Sequence, residues 1–235
     1  MNLQIIKTYI SSYLNFVKAY ETLLILLSLS RVKANMNASG ILLNLGCGDA
    51  VQTHWLSKAY QIINLDLDSQ RIKRASEVVN SDFVVASADC IPLRDRCVQA
   101  VVMISSFEHF SKPRITADEC SRVVKLGGNL ILTTDALTGA NPVVKDKHRA
   151  NYKVVMYYDF PAIHRLFGRE WKVEYYTYFA VNRISRFLFD FGVATNLGLT
   201  FHLAFPVGIF FMFIPPLSRS EGYFLLANCR LIRNE

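Results

Sequence analysis

The chain has 235 residues, 51% of them apolar, with a formal charge of +7 and a pI near 9.2. That length and apolar fraction fill the core of one large α/β domain and exclude a disordered or fibrous chain, and no linker, repeat or low-complexity tract divides it. Five cysteines (Cys47, Cys90, Cys97, Cys120, Cys229) are odd in number and never spaced Cys-x-x-Cys, which points to reduced thiols and against a zinc site.

Residues 3–29 predict a helix in which Ile6, Tyr9, Ile10, Tyr13, Leu14, Val17, Tyr20, Leu23 and Leu24 recur at i, i+3, i+4, i+7 spacing, with Lys7 and Lys18 off that stripe. It is amphipathic to Leu23 and apolar on all sides through Leu27. The run Leu23–Leu27 is too short to span a bilayer and no compact basic segment precedes it, so neither a span nor a signal peptide is expected. The chain therefore divides into an N-terminal amphipathic helical extension over 1–37 and one domain over 38–235.

After Gly40, a short β-prone run from Ile41 to Leu45 breaks at Gly46-Cys47-Gly48, whose glycines let the backbone turn tightly and approach a ligand. A helix near 51–59 and a strand at 61–65 follow. The strand ends in Asp66, 20 residues after Gly46, where a βαβ unit places an acid on ribose hydroxyls. No third glycine follows Gly48, so the cradle for a pyrophosphate is missing; S-adenosylmethionine, a nucleoside without phosphates, suits the pattern. A helix near 69–78, strands at 82–86 and 99–104, a helix at 113–124 and a strand at 129–134 come next, then late strands at Trp171–Phe179 and Tyr223–Ile232. Such alternation predicts an α/β fold, a doubly wound and mostly parallel sheet covered on both faces.

From about Ile41 to Asp135 the motifs resemble, in order, those of the class I S-adenosylmethionine-dependent methyltransferases. Leu45-Gly46-Cys47-Gly48 is similar to the family's first motif and Asp66 to its ribose-binding acid. Ala88-Asp89-Cys90-Ile91-Pro92-Leu93 resembles the segment whose acid meets the adenine amino group. Ser105-Ser106-Phe107-Glu108-His109-Phe110 is similar to the Glu-His pair after the fourth strand, and Arg122 to Leu132 to the turn that leads into the fifth. The resemblance implies a seven-stranded Rossmann-like sheet in a methyltransferase domain over 38–235, its last strand reversed, with S-adenosyl-L-methionine as cofactor. It also implies cofactor contacts from Asn44, Gly46, Cys47, Gly48, Asp66, Leu67, Asp89, Cys90 and Ser105. Three positions depart from the pattern: Asn44 stands where many members carry an acid, Gln99 replaces an Asp, and Leu126 replaces the Pro of the turn.

The basic residues form small groups (Arg71, Lys73, Arg74; Arg94, Arg96; Lys145, Lys147, Arg149; Arg183, Arg186) and no continuous stripe with interleaved aromatics, which disfavours nucleic acid as a partner. An anionic membrane face satisfies the same charge. Within an apolar insert over 187–218, Phe191 to Leu217 runs 27 residues without Asp, Glu, Lys or Arg. If the strands that flank it share a sheet, both its ends emerge on one side and a single span is excluded. Pro206, Pro215 and Pro216 break it, and Arg183, Arg186 and Arg219 flank it. The expectation is a kinked or hairpin segment in one leaflet of a cytoplasmic membrane face, that is, monotopic peripheral association; a pocket cap or a dimer surface is the alternative.

Methyl transfer from a sulfonium needs alignment and exclusion of water, and a base when the nucleophile is a hydroxyl. His109 and His148 are the candidate bases. His54, His164 and His202 have no partner at ligand spacing, so no metal is expected. These readings converge on a methyltransferase acting on a lipid-linked or apolar small-molecule acceptor, with an RNA methyltransferase or a non-catalytic binding module of the same fold as alternatives.

Overall fold

Strand β4 (Val98–Ile104) is buried along almost its whole length, which requires helices on both faces of the sheet that contains it. The computed structural model describes residues 16–33, 40–56, 60–180, 183–195 and 221–232. Its seven-stranded sheet has the order β3-β2-β1-β4-β5-β7-β6. The other strands are β1 (Ile41–Leu45), β2 (Gln61–Asp66), β3 (Asp82–Val85), β5 (Val124–Asp135), β6 (Trp171–Phe179) and β7 (Phe224–Leu231). β7 alone runs against its neighbours. The mostly parallel, doubly wound sheet with a reversed last strand is thus the one expected.

Alternation along the strands divides the core into two layers. Leu43, Leu45, Leu65, Val101, Met103, Leu130 and Leu132 share a cluster with Ala117, Cys120 and Val123 of α4 (Pro113–Val123) and with Ile163 and Phe167 of α6 (Phe160–Phe167). Leu42, Ile62, Ala100, Val102 and Ile131 share the other with Val17, Ile25, Leu29 and Val32 of α1 (Phe16–Lys33) and with Phe189 and Val193 of α7 (Arg183–Thr195). Short helices α2 (Thr53–Leu56), α3 (Ser69–Ser76) and α5 (Pro142–Tyr152) complete the set. Asp68 caps α3 by accepting from the backbone of Gln70 and Arg71, and Asn141 caps α5 by accepting from Val143.

Several boundaries differ from the sequence reading for identifiable reasons. The described part of the N-terminal helix runs on to Lys33, because its stripe of Val17, Ile25, Leu29 and Val32 stays against the sheet; residues 3–15 of the expected helix lie outside the described residues. β5 starts at Val124 rather than 129, and its register slips between Val98↔Val124 and Ala100↔Asn129 as the chain passes Gly127 at φ +76° and Gly128, where a Cβ would meet the Gln99 carbonyl oxygen at 2.4 Å. The sequence reading assigned no helix between 135 and 171, where α5 and α6 form. The first part of the apolar insert is helical, in α7: Phe189 packs on Tyr223 and Phe224, while Ile184, Phe187 and Phe191 are exposed. Residues 196–220, the rest of the insert, lie outside the described residues, and with them Pro206, Pro215, Pro216 and Arg219. Among the described residues no helix is long and apolar enough to cross a membrane.

Because Leu29 is fully buried between α1 and the sheet, Leu29→Ala should lower urea-unfolding stability by about 2–5 kcal/mol. A loss within error of zero would mean that α1 does not pack on the domain in solution.

Candidate active site

Open parallel sheets hold ligands at the carboxyl ends of their strands where the strand order reverses, and here that point lies between β1 and β4. A cavity of about 580 Å³ opens there, a size that suits a nucleoside-sized ligand. Its floor is built by Gly46, held at φ +73°; a Cβ on this residue would lie 2.7 Å from Ser106 Cβ, so only glycine lets the ends of β1 and β4 approach this closely. The backbone amides of Gly46 and Cys47 both donate to the Leu65 carbonyl at 2.8 and 3.0 Å, tying the turn to β2.

Asp66, at the end of β2, accepts from the Gly48 amide at 2.7 Å on one oxygen and from the Asp68 amide at 2.9 Å on the other. The carboxylate is thereby fixed, and each oxygen keeps a lone pair for a further donor. Asp89, across the cavity, accepts from the Ser87 hydroxyl and pairs with the Lys112 ammonium at 2.6 Å. Lys112 and Ser87 together hold its carboxyl below the usual carboxylate range.

The cavity wall brings together Gly46, Asp66, Leu67, Asp89, Ser105 and His109 of the residues singled out in the sequence. Asn44, Cys47, Gly48, Cys90 and His148 are not part of that wall. Asn44 corrects its expected placement most clearly. Strand alternation puts it on the face opposite Leu43 and Leu45, where its amide donates to Thr53 Oγ1 at 2.6 Å and to Asn64 Oδ1 at 3.1 Å. The Gly48 amide is used by Asp66, and the Cys90 amide donates to the Ser87 carbonyl, closing a turn. Burial pushes the Cys47 thiol up, which makes it a poor nucleophile.

Behind Ser105 lies a set of buried charges. Glu21 of α1 is 1% exposed. Its carboxylate accepts from Ser105 Oγ at 2.5 Å, from the Thr133 hydroxyl, from Gln52 Nε2 at 3.0 Å and from Lys18 Nζ at 3.0 Å. Glu108, equally buried, accepts from Thr134 Oγ1 at 3.0 Å, and burial raises its pKa to about 7. Burial, reinforced by Glu108, pushes the Asp135 carboxyl well above its usual range. Sequence reasoning missed Glu21, Lys112, Tyr152 and Lys153. Only Glu21 carried a signal: it is the one acid before Asp49 and interrupts an apolar stripe.

The two histidines differ in position. His148 is 4% exposed; its Nδ1 lies 3.1 Å from Tyr157 Oη, which itself donates to the Lys145 carbonyl, so Nδ1 carries the proton. Nε2 then faces Asp135 at 3.7 Å, and burial lowers the imidazole pKa to about 4. The ring of Tyr152 lies 4.6 Å from it, tilted by 39°. His109 lies in the cavity wall itself, with Nδ1 3.3 Å from the Lys153 carbonyl and Nε2 4.0 Å from Glu108. Among the described residues no group of three or more His, Cys, Asp or Glu side chains is placed to hold a metal ion.

Residues 43–132 match the family model described as a methyltransferase domain. An uncharacterised protein of Methanocaldococcus jannaschii is 25% identical over 125 residues, 53% of this chain and 48% of that protein. Demethylmenaquinone methyltransferase of Thermotoga maritima is 32% identical over 73 residues, 31% of this chain and 32% of that one. The chain therefore spans about half, or less, of the length of these curated relatives. Among solved structures, geranyl diphosphate C-methyltransferase of Streptomyces coelicolor A3(2) superposes with a TM-score of 0.62 at 12% identity, over 83% of this chain and 72% of that one. The YcgJ protein of Bacillus subtilis gives 0.59 at 17% identity, over 88% and 99%. At such identities the likeness is one of fold: the Rossmann-like methyltransferase sheet is common to all three.

If Asp66 accepts from ribose hydroxyls, Asp66→Ala should weaken S-adenosylhomocysteine binding by about 1–3 kcal/mol in calorimetry; unchanged affinity would remove the assignment. Glu108 also has a stability signature. Its pKa is raised from 4.5 to about 7, so the folded state holds the proton more tightly. Its contribution is complete below the unfolded value and is lost as pH rises through the folded one. Between about pH 5 and 7.5 the urea midpoint of Glu108→Gln should decline less than that of the parent chain. Parallel curves would contradict the burial of this acid.

Proposed function

We propose that this chain, whose residues 43–132 match the methyltransferase-domain model, is a class I S-adenosylmethionine-dependent methyltransferase that transfers a methyl group to a lipid-linked or apolar small molecule at a cytosolic membrane face. One observation carries this reading: a single cavity runs from the ribose-ready carboxylate of Asp66 to His109 and Tyr152. The residues present suit the cofactor. Gly46 leaves room for it over the sheet edge, Asp66 has a free lone pair on each oxygen for the ribose, Asp89 offers its carboxylate to the adenine amino group, and Ser105 borders the methionine end. S-adenosylmethionine supplies an electrophilic methyl group carried on a sulfonium.

The protein's own work is alignment, dryness and, for a hydroxyl acceptor, removal of a proton. His109 is the better placed base. It faces the cavity, and donation from Nδ1 to the Lys153 carbonyl leaves the lone pair of Nε2 free. His148 is buried outside the cavity wall, with Nδ1 bonded to Tyr157 and Nε2 3.7 Å from Asp135, so it is the worse placed of the two.

An apolar acceptor is supported by the names of two similar proteins, whose acceptors are demethylmenaquinone and geranyl diphosphate. Membrane contact is supported by α7, where Phe191, at the start of the charge-free run, and Ile184 and Phe187, just before it, are exposed. Arg183 is exposed beside them. Arg186 is engaged instead, 4.0 Å from Glu221 and over the Tyr223 ring.

Incubation with methyl-labelled S-adenosylmethionine and a total lipid extract should carry label into the organic phase, and His109→Ala should lower the rate about 100-fold while retaining the cofactor. Equal rates would mean that catalysis is positional. The chain should float with phosphatidylglycerol vesicles at low salt, and Phe187→Ser should reduce flotation at unchanged melting temperature. A parent chain that stays in the soluble fraction would make α7 a cap or a dimer surface.

A further inference from the structure

The cavity has two electrostatic ends. At the β2 and β3 end its acids, Asp66, Asp68 and Asp89, are interleaved with cations: Lys112 pairs with Asp89 at 2.6 Å and Arg71 stands 3.8 Å from Asp68. At the other end, formed by Ser105, His109, Tyr152 and Lys153, the carboxylates close by are buried: Glu21 accepts from Ser105, Glu108 lies beneath His109, and Asp135 lies beside His148. Lys153 is exposed, and its ammonium has no hydrogen bond or ion pair among the described residues.

The local backbone makes this lysine stand out. Lys153 follows the last turn of α5 at φ 56° and ψ 39°, a left-handed position that glycine fills without strain and lysine does not. The chain is then clamped. The amides of Val155 and Met156 both donate to the Glu108 carbonyl at 2.9 and 3.1 Å, and His109 Nδ1 meets the Lys153 carbonyl at 3.3 Å. The clamp fixes Lys153 and His109 on one rim. Tyr152, in the same wall, is 51% exposed, and Val155 and Met156, the second and third residues after Lys153, are 51% and 50% exposed. An exposed cation in a cavity wall with exposed apolar side chains close along the chain is complementary to a ligand with an anionic group on an apolar chain.

We propose that this rim seats an anionic amphiphile as the methyl acceptor: Lys153 holds a phosphate or carboxylate, Tyr152 and the neighbouring Val155 and Met156 hold the chain attached to it, and His109 keeps its role as base. The assignment rests on the methyltransferase reading above and gives its acceptor a chemical class.

The test is calorimetry on the full chain loaded with S-adenosylhomocysteine, titrated with decyl phosphate below its micellar concentration, with decanol and with inorganic phosphate. Decyl phosphate should bind at least about tenfold more tightly than either of the others, as expected when one charge-assisted hydrogen bond adds to apolar burial. Lys153→Gly should lose about tenfold in decyl phosphate affinity while its melting temperature stays or rises, because glycine relieves the left-handed strain; Lys153→Arg should restore binding. Unchanged affinity in Lys153→Gly, or decanol binding as tightly as decyl phosphate, would overturn the anion seat. Inorganic phosphate binding as tightly as decyl phosphate would overturn the apolar one. A chain that fails to bind S-adenosylhomocysteine counts against the methyltransferase reading, whereas one that binds it and ignores decyl phosphate counts only against this inference.

Discussion

Glu21 is the interaction on which the site depends. Its carboxylate is buried and joins helix α1, the β1–α2 loop through Gln52, the end of β4 through Ser105 and β5 through Thr133. A buried charge is tolerated only when paired and fully hydrogen-bonded, and the four donors on Glu21, Lys18 among them, meet that demand. The same bonds hold Ser105 at φ 44°, a left-handed conformation for a residue with a side chain. Ser105 is where β4 meets the cavity, so strain at the sheet edge is stored under tension from α1. Removing α1 would release that residue and open the back of the site.

The remaining ionisable groups arrange themselves around this anchor. Lys18 is committed to Glu21; Glu108 is pushed up by burial and by Glu21, and Asp135 by burial and by Glu108. His148 is pushed down to about 4. Strand ends supply the cofactor side of the cavity, with Asp66 preset by two backbone amides. Helix α5 and the segment after it supply the acceptor side, and α5 packs on α7, where Lys147 donates to the Ala194 carbonyl and His148 contacts Phe189.

The sheet and the acid at the end of β2 were legible in the sequence because they obey local rules: short apolar strands, glycines where the backbone must turn, and an acid one βαβ unit later. Asn44 was legible too, since period-two alternation sets it opposite Leu43 and Leu45; its motif position concealed that. The start of β5 was hidden by the irregular pairing around Gly127 and Gly128. Helices α5 and α6 were missed, although Pro142 at the first turn of α5 is a start signal. Lys112 and Lys153 were illegible because a charged side chain gives no sign of what lies across a cavity. Glu21 was visible as an acid in an apolar stripe, but its role was not, because its partners are 31, 84 and 112 residues away.

A crystal structure of the chain with S-adenosylhomocysteine tests the account most directly. The account predicts ribose hydroxyls on both oxygens of Asp66, adenine beside Asp89, and the thioether sulfur at Ser105 directed toward His109 and Tyr152, with Glu21 still bonded to Ser105 and Thr133. A nucleoside bound elsewhere, or a sulfur directed away from His109, would contradict it.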